Sequence, residues 1–134
     1  MANGFEVLCA QHREVEELFG RYANGADDAV AREICEALTR HADLEERAVY
    51  PQLRRLVDDG DDLADEAEAE HGVAKTIIAR IYDSPPEDLR PLVDELQRVV
   101  SAHVRVEEES TFPAMVESGV DPDELATKLH AAAS

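Results

Sequence analysis

A histidine stands near the middle of each of four long segments whose apolar residues recur with helical spacing, and no segment alternates as a strand does. The inward positions of the first segment are Phe5, Leu8, His12, Val15, Phe19 and Tyr22; those of the second are Val30, Ile34, Ala37, His41, Leu44 and Ala48. The third gives Ala64, Ala67, His71, Ala74, Ile78 and Ile81, and the fourth Leu89, Leu92, Leu96, Val99, His103 and Val106. An imidazole with apolar residues above and below it is buried on folding, and a buried polar group without a partner costs roughly 1–3 kcal/mol. Four such costs are avoided if the helices meet at mid-length, so that the imidazoles share one layer. This restricts the chain to an all-α architecture built around a polar layer.

Polar breaks at Asn24-Gly25-Ala26-Asp27-Asp28, Asp58-Asp59-Gly60-Asp61, Asp83-Ser84-Pro85-Pro86 and Ser118-Gly119-Val120-Asp121-Pro122 separate the segments. They predict helices over roughly 4–23, 28–57, 62–82 and 85–117, with a short C-terminal helix near 122–132. Helix-start chemistry agrees: Asn3 precedes Glu6 by three, Ser84 precedes Glu87 with Pro85 between, and Asp121 precedes Asp123-Glu124. Short connections make neighbouring helices antiparallel, which predicts an up-down-up-down four-helix bundle with a short fifth helix, a single domain over residues 1–134. Pro51 and Pro113 are expected to kink or end their helices.

Two of the histidines belong to a repeated unit. His41 is followed by Glu45-Glu46, Tyr50-Pro51 and Leu53; His103 is followed by Glu107-Glu108, Phe112-Pro113 and Met115. A shorter copy places Glu16-Glu17 after His12. A side chain four residues on lies about 40° round the helix, and one five residues on about 140°. Glu45 and Glu107 therefore face the histidine layer, while Glu46 and Glu108 face solvent or a neighbouring helix. Glu16 shares the inward offset from His12, and Glu68, three before His71, is a weaker candidate for the same layer. Tyr50, nine residues beyond His41, falls on roughly the opposite side of an ideal helix and reads as packing rather than a ligand, with the Pro51 distortion leaving some room for the other outcome. Cys9, one turn before His12, reads as a structural thiol, and His130 as a surface residue.

The metal candidates are thus His12, His41, Glu45, His71, His103 and Glu107, with Glu16 and Glu68 secondary. Four imidazoles and two carboxylates exceed the four ligands of a structural zinc and are the wrong donors for calcium or magnesium. Mixed nitrogen and oxygen donors suit iron, manganese, zinc or nickel. Two metals bridged by Glu45 and Glu107, each held by two imidazoles, use every ligand and leave positions open for a small molecule such as dioxygen, peroxide or nitric oxide. No nucleophile elbow or phosphate loop is present. A formal charge of -18 opposes nucleic acid and anionic membranes as partners. No apolar run of membrane-spanning length and no signal-peptide pattern occurs, and Cys9 and Cys35 are too few for a disulfide scaffold. A cytoplasmic protein with reduced thiols is expected.

These residues resemble a hemerythrin-like protein of the HHE cation-binding family over the four main helices. The resemblance rests on His12, on His41 with Glu45-Glu46 and Tyr50-Pro51, on Glu70-His71, and on His103 with Glu107-Glu108 and Phe112-Pro113. It implies a non-haem di-iron centre, two irons per chain, with Glu45 and Glu107 as bridging carboxylates beside an oxo or hydroxo bridge. The oxygen carriers of that family place two histidines four residues apart on the third helix. Here Lys75 and Ala67 stand at those distances from His71. Their fourth-helix carboxylate is typically an Asp at the fifth residue, where this chain has Glu at the fourth. Both departures turn the expectation away from reversible oxygen carriage. They point toward decomposition of hydrogen peroxide or nitric oxide chemistry, as in oxidative-stress responses, with non-catalytic iron or oxygen sensing, or oxygen binding, as the alternative. No output domain is apparent in the 134 residues, which favours the enzyme.

Overall fold

The computed structural model describes residues 2–25 and 27–133; Met1, Ser134 and Ala26, within the first predicted break, lie outside the described residues. Every regular element among the described residues is helical. They are α1 (Gly4–Ala23), α2 (Asp28–Leu44), α3 (Tyr50–Leu56), α4 (Gly60–Tyr82), α5 (Leu89–Val106), α6 (Phe112–Glu117) and α7 (Pro122–Ala133). A π turn (Glu45–Val49) joins α2 to α3, and another (Glu107–Thr111) joins α5 to α6. A 3₁₀ turn, Pro86–Asp88, precedes α5.

The starts of the helices follow the sequence in part. Asn3 accepts from the Glu6 backbone N–H at 3.0 Å while Glu6 accepts from the Asn3 N–H at 2.9 Å, a reciprocal cap. Asp121 accepts from the Asp123 N–H at 2.9 Å and opens α7. Ser84 does not cap α5, as its spacing from Glu87 suggested. Its hydroxyl donates back to the Arg80 carbonyl at 2.7 Å, and the chain enters α5 through the 3₁₀ turn instead.

Neither Pro51 nor Pro113 ends its helix. The chain carries on to Leu56 and to Glu117, and the irregularity is taken up by the π turn just before each proline. The Tyr50 N–H bonds the Glu45 carbonyl and the Phe112 N–H bonds the Glu107 carbonyl, each five residues back. One extra residue in the turn loosens the backbone where proline lacks its own N–H.

α1 packs on α2, α2 on α4, α4 on α5, and α5 returns to α1; α3 covers α4, and α7 lies across α1. Gly60 permits the α3–α4 approach, since a Cβ there would stand 1.9 Å from the Leu53 carbonyl oxygen. The apolar interior is divided. Phe19, Ile34, Ile78, Ile81 and Leu96 belong to one cluster, and Leu8, Tyr50, Leu53, Met115 and Leu125 to another. Most predicted inward positions are buried. Val106 is the exception at 47 % exposed, because the inward face there centres on Glu107, about 100° round the helix from its neighbour. No helix among the described residues is long and apolar enough to cross a membrane.

Candidate metal centre

His12, His41, His71 and His103 are all buried, and they lie in the layer between the two apolar clusters. Glu45 and Glu107 reach the same layer, 0 % and 1 % exposed. Their Nε2 and carboxylate oxygen atoms form two overlapping sets, His12–His41–Glu45–Glu107 and Glu45–His71–His103. In the first, His12 Nε2 is 3.1 Å from His41 Nε2 and 3.2 Å from Glu107 Oε1, and His41 Nε2 is 3.3 Å from Glu45 Oε1. In the second, Glu45 Oε1 is 3.2 Å from His71 Nε2 and 3.7 Å from His103 Nε2. Glu107 spans both, its Oε2 lying 3.1 Å from His103 Nε2.

Each imidazole is oriented from outside the layer. The Nδ1 of His12 donates to Glu108 Oε2 at 2.6 Å and that of His71 to Glu46 Oε2 at 2.8 Å. The Nδ1 of His103 donates to Glu70 Oε1 at 2.6 Å and that of His41 to Gln11 Oε1 at 2.6 Å. Since every Nδ1 faces an acceptor, it holds a hydrogen, and the Nε2 atoms turn inward. The braces follow the helices in order: α1 holds the histidine of α2, the turn after α2 that of α4, α4 that of α5, and the turn after α5 that of α1.

Sequence reasoning did not assign this bracing to Gln11, Glu46, Glu70 or Glu108. The available signal was adjacency, since each flanks a residue of the layer. Glu46 and Glu108 do turn toward a neighbouring helix. Glu16 and Glu68 stay out of the layer. Glu16 pairs with Arg13 at 3.0 Å, and Glu68 with Arg54 at 2.8 Å, where exposed carboxylates find cations without desolvation. Lys75, at the position of the missing histidine, points outward to Glu46 at 3.3 Å.

Tyr50 corrects the reading of its side chain as packing alone. Its hydroxyl lies 3.1 Å from both Glu107 Oε2 and His71 Nε2, and 3.3 Å from Glu45 Oε1. The π turn is the cause, because an extra residue brings Tyr50 one turn beyond Glu45 instead of opposite His41. The corresponding residue in the other half is Phe112, whose ring stacks on His12 with an interplanar angle of 1°.

The electrostatics of the layer call for positive charge. Burial alone would lower the His103 pKa, yet the Glu107 and Glu45 carboxylates beside its Nε2 raise it to about 11. Burial is likewise outweighed at His12 by Glu107 and Glu108, and at His71 by Glu45 and Glu46, so both are raised. Burial would raise Glu45, but hydrogen bonding with Glu107 and the His41 charge hold it well below the carboxylate range. Burial pushes the Tyr50 phenol up, and the Glu45 and Glu107 charges add to it. Cys9, beside His12 and Glu108, is raised to about 11 by burial and then by Glu108; it and Cys35 are free thiols. His130 is exposed and outside the layer.

Among the described residues, three buried side-chain atoms have no partner in hydrogen-bond geometry: Glu45 Oε2, Glu107 Oε1 and His103 Nε2. Such atoms cost free energy unless something fills the gap between them. Two donors at about 2.1 Å from a shared ion stand about 3.0 Å apart at right angles and about 3.4 Å apart at tetrahedral angles, matching the 3.1–3.3 Å spacings. The residues fit cations held between imidazole and carboxylate.

The family model for the hemerythrin HHE cation binding domain matches residues 3–113. A protein of Nostoc sp. strain PCC 7120 named DNA nickase is 32% identical over 137 residues, covering 96% of this chain. The chain spans 38% of that relative's length. No solved structure gives a significant match.

Proposed function

Because this chain belongs to the hemerythrin HHE cation-binding family, we propose that it is a non-haem di-iron protein that consumes hydrogen peroxide or nitric oxide. The observation that carries the reading is the convergence of four outward-braced Nε2 atoms on two buried carboxylates with orphaned oxygens. His12 and His41 would hold one iron and His71 and His103 the other, with Glu45 and Glu107 available to both. Two ferrous ions bound there would supply one electron each to a small oxidising molecule. The protein's part is to fix the donor atoms, exclude bulk water and place the Tyr50 hydroxyl within 3.3 Å of both carboxylates.

Access suits a small molecule. A cavity of about 50 Å³ between α2, α4 and α5 is lined by Leu38, Ala42, Ala74, Ile78, Val99 and Val100 and touches His41, His71 and His103. We read α2–α3 and α5–α6 as single long helices, which with α1 and α4 make an up-down-up-down bundle with α7 appended, one domain over residues 1–134. The name of the Nostoc relative suggests action on DNA. A formal charge of -18 opposes that, and we place neither nucleic acid nor membrane among the partners. A reducing compartment, the cytoplasm, suits the two free thiols.

The test is to load the chelator-treated protein anaerobically with ferrous iron, measure stoichiometry, and add peroxide and nitric oxide separately. Two irons per chain with catalytic loss of either substrate is the expected result. A stoichiometric, reversible spectral change would instead identify an oxygen-binding or iron-sensing module. One zinc and no iron per chain would remove the di-iron reading.

A further inference from the structure

The centre is assembled from two related halves. Gln11 and His12 correspond to Glu70 and His71, and His41, Glu45, Glu46 and Tyr50 correspond to His103, Glu107, Glu108 and Phe112. The shared members are the ligand candidates and the two carboxylates that follow them. The halves differ at one brace, Gln11 against Glu70, and at one ring, Tyr50 against Phe112.

The brace difference falls on one side of the layer. His103 donates to Glu70 Oε1 at 2.6 Å, and His71 donates to Glu46 Oε2, the same oxygen that Lys75 approaches at 3.3 Å. Opposite them, His41 donates to the neutral amide oxygen of Gln11. His12 donates to Glu108 Oε2, the same oxygen that the Arg13 guanidinium binds. A carboxylate behind an imidazole makes its inward nitrogen a stronger donor, and a neutral acceptor does so less. Glu46 and Glu108 are each shared with a cation, Lys75 and Arg13, so the contrast lies between Glu70 and Gln11. The bridging carboxylates do not offset this, since Glu107 offers one oxygen to each side and Glu45 touches both.

On the two-cation reading above, we propose that the two positions are unequal: the one held by His71 and His103 fills first, the one held by His12 and His41 is the exchangeable position, and Gln11 sets the difference. Gln11 acts through His41 and is a positioning residue. Loss or gain of one outer acceptor changes metal affinity by about 10–100-fold, so the two steps should be separated by that factor.

The measurement is anaerobic titration of the chelator-treated protein with cobalt(II), followed by absorbance against a competing chelator. The wild type should take up two ions in two steps. Gln11→Glu, an isosteric change at a half-buried residue, should strengthen the second step about tenfold or more and draw the steps together. Glu70→Gln should weaken the first. His41→Ala should abolish the second step and keep the first, whereas His103→Ala should abolish the first. Two equal steps that Gln11→Glu leaves unchanged, or a first step that survives His103→Ala, would overturn the proposal while leaving the two-cation centre intact. Uptake of fewer than two ions by the wild type would overturn both.

Discussion

Tyr50→Phe isolates what the hydroxyl in the layer contributes. The ring is 1 % exposed and packs among Val49, Leu53 and Phe112, and phenylalanine preserves that packing, so no cavity forms. What is lost is one proton donor facing Glu107, Glu45 and His71 at 3.1–3.3 Å. A phenol donates to one acceptor at a time, so a single charge-assisted hydrogen bond is at stake, about 2 kcal/mol within the usual 1.5–3. With a urea slope of roughly 1.5 kcal/mol/M for a chain of this size, the unfolding midpoint should fall by about 1.3 M. The assay is urea titration at pH 7 in excess chelator, followed by far-ultraviolet circular dichroism. Tyr22→Phe serves as control, at a ring that lies in the other apolar cluster beneath Arg90, and should move the midpoint little. A Tyr50→Phe shift below about 0.3 M, or one no larger than the control, would refute the claim that the π turn delivers a working hydroxyl to the layer.

Glu16→Ala and Glu68→Ala should retain the wild-type metal stoichiometry by elemental analysis, because both carboxylates are exposed and pair with arginines outside the layer. The metal-free protein should lose thermal stability between pH 6 and pH 9. His12, His71 and His103 have folded pKa values raised above the ordinary 6.5, so their contribution is complete below that value and lost as the pH climbs through the folded ones, about 11 for His103. Metal-loaded protein should show the opposite trend over the same interval, since protons compete for the imidazoles. Gly60→Ala should cost about 2–4 kcal/mol in chemical denaturation, because its Cβ would meet the Leu53 backbone, which cannot rotate aside.

Helical periodicity and residue chemistry made the layer legible: a histidine on an apolar seam declares its burial, and an offset of four declares which glutamate accompanies it. They failed where the helix stops being ideal. Tyr50 seemed to face away from His41 because its angle assumed 3.6 residues per turn through a stretch that winds as a π turn. Val106 went wrong for a related reason, the face at that level following Glu107. The braces were hidden by abundance. In a chain with 31 acidic residues, Glu46, Glu70 and Glu108 look like solvated surface, and only the neighbouring helix shows which of them an imidazole selects. Glu16 and Glu68 show the converse, correct offsets claimed by a nearby arginine.

The order of the braces bears on how the protein matures. Each imidazole is aimed by a segment other than its own helix, and the last contact, Glu108 on His12, joins residues 96 positions apart. A nascent hairpin of α1 and α2 can therefore aim His41 but leaves His12 without its carboxylate until the turn after α5 arrives. On the proposed two-cation centre, high-affinity capture of both ions would be deferred until the chain has closed on itself, and loading would become a readout of completed folding.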